Sequence, residues 1–176
     1  MKYKVFYIVF LSFFFVSCSM RYHSEHSPSK KNIYEILSQM PDIECFPDYE
    51  YLYPKGDSIC IKIIDCGTEI VPYLIDKITD TTQTKVYFSD QTNYKVGDAA
   101  VFLLDAIYIY DLSRPSSLFN ISDIILENFF DKKPSTYFFQ SVYASIFLLN
   151  SEERNDENRK KLQRLLKRQC KAISLN

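Results

Sequence analysis

Bond chemistry in a protein needs a nucleophile beside a base, several metal ligands brought together, or a pair of carboxylates at a workable separation. The chain has 2 histidines, His23 and His26, and both fall in a polar stretch near the amino end. A body without imidazole offers no base for a serine or cysteine triad and no histidine for a zinc site. Past residue 18 lie Cys45, Cys60, Cys66 and Cys170. On one helix Cys60 and Cys66 stand about 240° apart, so they face different sides and do not bridge each other. Either Cys45 pairs with Cys60 or Cys66, or the thiols stay free and pack as small apolar groups. The carboxylates Asp57 with Asp65, or Asp98 with Asp105, are of the type that serves glycosidases as acid and base. They are expected on solvated helix faces instead. Gly56, Gly67 and Gly97 cannot build a phosphate loop at their spacings. The expectation is a protein with no enzymatic activity, no cofactor and no metal.

Charge narrows the partners further. The whole chain carries a net charge of -1, and removal of Lys2 and Lys4 with a leader makes the remainder more acidic. Nucleic-acid affinity rests on neutralising phosphates, so nucleic acid is set aside as a partner. With only 3 glycines, the many tight turns of a sandwich or barrel are out of reach, and helices are favoured.

The elements that would position these residues begin with a leader. Lys2 and Lys4 precede an apolar run at 5–16, broken only by Tyr7 and Ser12, and then come Ser17 and Cys18. That run reaches about 18 Å as a helix, well short of the roughly 30 Å of a bilayer core, so it reads as an export signal and not as a span. Its ending, Phe15-Val16-Ser17-Cys18, resembles the lipobox of bacterial lipoproteins, with Phe15 where Leu is usual. The resemblance implies cleavage before Cys18 by signal peptidase II and acyl chains of the palmitate type on the Cys18 thiol. It also implies a protein held to the membrane of the bacterial cell envelope, facing the periplasm or in the outer membrane. Residues 18–31 then read as a tether, polar and without apolar period, and residues 32–176 as a single domain.

Within that domain, apolar residues at spacings of three and four predict helices at 32–40, 58–66, 68–80, from 96 onward, 120–130, 136–149 and 152–175. Thr68 is the expected cap of the third, with Pro72 in or just past its first turn. The stretch 136–149 is apolar nearly all round and belongs at the centre of a bundle. The last helix is polar, with one seam at Leu162, Leu165, Leu166, Gln169 and Ile173, acids at its start and bases toward its end. Those bases are a solvated face or a surface for lipid headgroups or an acidic partner. Residues 81–95 form a long polar connection, and near 84–90 it makes either a short β-hairpin or an extended flap. Tyr49, Tyr51 and Tyr53, with Tyr87 and Phe88, are candidate partner contacts, although packed loop aromatics are the commoner outcome.

Two stretches, Cys66-Gly67-Thr68-Glu69-Ile70-Val71-Pro72-Tyr73-Leu74-Ile75 and Val96-Gly97-Asp98-Ala99-Ala100-Val101-Phe102-Leu103-Leu104, are similar to HEAT-like helical repeats. The resemblance implies an all-α fold of helical hairpins. The functional expectation is a lipid-anchored envelope protein that binds a protein partner, possessing the size and acidity of an immunity-like toxin antagonist. The alternative is a structural or assembly lipoprotein of the envelope.

Overall fold

The computed structural model describes residues 29–47, 56–90, 92–110, 120–131 and 139–174. The leader at 1–17, Cys18, Tyr49, Tyr51, Tyr53 and most of the tether lie outside the described residues. Seven α-helices and one small antiparallel sheet make up the described part, a mainly helical fold with a short β-hairpin, as the glycine poverty and the periodicity predict.

Helix α1, Lys30–Ser38, begins inside the stretch expected to be tether, because the Ser29 hydroxyl accepts from the Asn32 N–H at 3.4 Å and caps it. Ile33 and Leu37 turn inward, and a 3-10 turn, Met40–Asp42, carries Pro41. Helix α2, Ser58–Asp65, is capped by Asp57, whose carboxylate accepts from Ile59 N at 2.7 Å and from Glu44 N at 2.9 Å. One side chain therefore both starts a helix and fastens it to the segment after α1. Gly67, at φ 59, ends the run in the left-handed region that glycine occupies without strain.

Helix α3 spans Val71–Lys77, and Thr68 does not cap it. A helix starting at Thr68 would need an N–H from Pro72 to the Thr68 carbonyl, which proline lacks. Gly67–Glu69 form a 3-10 turn instead, and Pro72 takes the first turn of α3. The connection that follows is a hairpin and not a flap: β1, Gln83–Ser89, pairs antiparallel with β2, Thr92–Lys95. Lys85 N donates to Ile43 O at 3.0 Å, which ties the hairpin to the residue after the Met40–Asp42 turn.

Helix α4, Val96–Tyr110, is the centre of the molecule: every residue from 96 to 107 is buried. The sequence placed 136–149 there, but α6, Phe139–Phe147, leaves Gln140, Ser141 and Ser145 exposed and turns only Val142, Tyr143, Ile146 and Phe147 inward. Helix α5, Ile121–Phe129, is capped by Asn120, whose side chain accepts from Asp123 N at 3.1 Å. The 23-residue α7, Glu152–Ser174, closes the core with Leu162 and Leu166, both 0 % exposed. A single apolar cluster runs from Ile33 in α1 to Leu166 in α7.

Candidate functional site: a closed carboxylate and an open groove

The carboxylates expected on solvated faces are not there. Asp98 is 0 % exposed and Asp105 is 7 % exposed, because α4 has neighbours on every side and leaves no solvated face for an acid. Asp98 Oδ1 accepts from Tyr143 Oη at 2.7 Å and from Arg159 Nη2 and Nε at 2.7 and 3.1 Å. Its Oδ2 accepts from Lys95 N at 2.7 Å, so the same carboxylate caps α4. Arg159 in turn donates to Phe147 O at 2.9 Å and to Asp156 at 3.2 Å. Burial, then the neighbouring Asp98 charge, pushes the Tyr143 phenol well above its ordinary range. Both oxygens of this 0 % exposed carboxylate accept hydrogen bonds, and the group is a clamp between α4, α6 and α7. Asp105 has no hydrogen-bond or ion-pair partner among the described residues, and burial pushes its carboxyl up to about 7.

Asp57 serves as the α2 cap, and Asp65 lies exposed at the far end of the same helix, so these two do not converge. Cys45, Cys60, Cys66 and Cys170 form no disulfide among the described residues. Cys60 Sγ donates to Cys45 O at 3.5 Å, while Cys66 Sγ donates to Lys62 O at 3.2 Å within its own helix. Cys60 and Cys66 thus face apart, as helical geometry requires, and it is Cys60 that abuts the Cys45 segment. Burial, followed by Asp57 and Cys45, pushes the Cys60 thiol up to about 12, so no thiolate forms there near neutral pH.

Of the expected aromatic contacts, Tyr87 projects outward at 73 % exposure. Phe88 is half-buried and meets Tyr94 edge-on at 5.4 Å; strand alternation sends one ring out and the next in. Tyr94 and Phe46 continue that cluster to Phe102 of α4.

A groove of about 960 Å³ opens where the ends of α5 and α6 meet the first half of α7. Phe129, Ser145, Asn150 and Asn158 line it together with Arg154, Lys160, Lys161 and Arg164 and with the acids Glu127, Asp131 and Glu157. Lys161 donates to Asn128 O and lies 4.3 Å above the Phe129 ring, joining α7 to α5. Arg154 pairs with Glu157 at 3.3 Å. Asn158 is 8 % exposed and donates to Ile146 O at 2.8 Å; one turn earlier, Asn155 donates to Asn150 O at 3.2 Å while its buried side-chain oxygen has no partner among the described residues. Such a lining sets hydrogen-bond donors, acceptors and charges of both signs side by side. Among the described residues no group of three or more His, Cys, Asp or Glu side chains is placed to hold a metal ion.

Arg159 is one of the α7 bases that the sequence assigns to a solvated face or to a surface for lipid headgroups or an acidic partner, so the clamp was missed. A signal was present, since Asn155, Asn158, Arg159, Leu162 and Leu166 follow one another at spacings of three, one, three and four and share a face. No protein-family model matches the chain, and neither a curated protein nor a solved structure matches it.

Proposed function

We propose that the chain is a lipid-anchored binding protein of the bacterial cell envelope, attached through Cys18 and acting by docking a protein partner. Its concrete form is an immunity-like protein that occupies a toxin. The groove between α5, α6 and α7 carries this reading: about 960 Å³ of open space lined mainly by charged and amide side chains, on a wall braced from behind by Asp98 and Arg159. Polar, mixed-charge surfaces with a few aromatic anchors are the material of non-obligate interfaces. The closed carboxylate and the high-pKa Cys60 thiol support action without bond chemistry.

A photo-crosslinking side chain at Ser145, on the exposed rim of the groove, tests the reading in the intact envelope. One reproducible protein adduct is expected, and the same protein should be absent when the group is placed at exposed Lys62 on α2. Equal labelling at both positions counts against a specific groove. Anchoring is tested separately by mass spectrometry of the amino terminus with and without globomycin, where an unprocessed Met1 ends the lipoprotein reading. The second reading, an assembly lipoprotein, draws its support from Tyr87 on β1, 73 % exposed; adducts from Tyr87 to an outer-membrane complex, with none from Ser145, would favour it.

A further inference from the structure

Helix α7 carries more positive charge than the fold uses. Lys161 bonds to Asn128, Lys167 pairs with Asp76 at 2.7 Å, Arg159 is buried on Asp98, and Arg154 pairs with Glu157. Lys160, Arg164, Arg168 and Lys171 are exposed and have no partner among the described residues. Their spacings of four, four and three set them on one face, in a stripe that starts in the groove and runs down the helix. The helix dipole favours cations only in the last turn, so it explains Lys171 and Arg168 better than Lys160 and Arg164, which sit in the middle of Glu152–Ser174.

We propose that this stripe receives an acidic chain segment of the partner, laid in extended conformation along α7 and entering the groove at its amino-terminal end. The inference rests on the binding role proposed above and names the chemistry of the partner. Four residues of helix advance about 6 Å, and two residues of an extended strand advance about 6.6 Å. Acids at alternate positions of an extended segment therefore stay opposite Lys160, Arg164 and Arg168 within the reach of those long side chains. Glu127, Asp131 and Glu157 stand among the cations in the groove and repel a uniformly anionic surface, which favours a patterned chain over a bilayer.

The probe is a labelled peptide of alternating Glu and Ser, titrated by fluorescence anisotropy into the full-length protein in neutral detergent micelles. The comparison peptide has the same composition with its Glu residues contiguous. Binding of the alternating peptide is expected to weaken by about tenfold or more in K160E/R164E, less in R168E/K171E, and not at all in K62E on α2, outside the groove lining. It should also weaken as salt rises. Equal affinity for the contiguous peptide overturns the extended register. Vesicles of phosphatidylglycerol whose binding falls in K160E/R164E, with the alternating peptide unbound, assign the stripe to lipid and overturn the proposal. Capture of the Ser145 adduct undiminished in K160E/R164E overturns the acidic segment while the binding role survives.

Discussion

Asp98 joins a cap, a phenol and a guanidinium at one carboxylate, so its replacement by Asn tests the clamp. Asp98→Asn keeps the shape but leaves Arg159, 2 % exposed, facing a neutral amide. Removal of one partner of a buried pair costs about 3 to 5 kcal/mol, and a loss of that size should appear in urea denaturation as a lower midpoint with unchanged slope. Asp105 gives the opposite kind of result. Its carboxyl titrates at about 7 when folded and at 3.8 as a free side chain, so between those values the folded protein holds a proton that the unfolded chain has released. The folded state is therefore penalised progressively as pH climbs from about 4, reaching roughly 4 kcal/mol at most once pH exceeds the folded value. Asp105→Asn removes that titration. The melting temperature of the variant relative to the parent should rise from pH 4.5 to pH 8, and a pH-independent difference would show that Asp105 is solvated.

Packing between α3 and α4 depends on Gly97. A Cβ at that position would lie 2.2 Å from Ile78 O and 2.9 Å from Ile78 C, both backbone atoms that cannot swing aside. Gly97 N also donates to Asp80 O at 2.9 Å, which holds the start of α4 against the end of α3. Gly97→Ala must push the two helices apart, and overpacking of this kind costs about 1 to 3 kcal/mol or more; Gly67→Ala, with nothing within 4 Å of its Cβ but φ at 59, should cost about 1 kcal/mol from backbone strain alone. Thermal unfolding of the two variants separates a steric cost from a conformational one. The helices themselves could be read from apolar spacing, because burial of one stripe is a local property of the chain. The centre could not. Two aspartates in α4 counted as solvent-facing, since Asp98 meets its partner Arg159 only across 61 residues of chain and Asp105 is covered only by tertiary packing. The start of α3 was misread because Thr68 is a good cap in isolation, and only the missing N–H of Pro72 displaces the start to Val71. The groove escaped notice for the same reason as the clamp: its walls come from three helices, and no single stretch carries its pattern.

Taken whole, the described molecule is a central helix wrapped by neighbours, and its parts differ in how deeply they share the core. Residues 96 to 107 of α4 are buried throughout, and the apolar cluster around them extends from α1 to α7. Their amides can open to solvent only when the cluster opens, so they should exchange at the rate of global unfolding. The hairpin is joined to this body by Val86, Tyr94 and the Lys85 to Ile43 hydrogen bond, and alternate residues of β1 face water. Local opening of β1 and β2 leaves the cluster intact and should expose their amides sooner. Native-state hydrogen exchange by mass spectrometry is expected to give α4 the slowest peptides and 83–95 distinctly faster ones. In Asp98→Asn the α4 and α7 peptides should accelerate together, because the clamp is the polar link that makes them open as one unit. Acceleration confined to α7 would mean that the apolar seam at Leu162 and Leu166 couples these helices by itself, and that Asp98 serves only as the cap of α4.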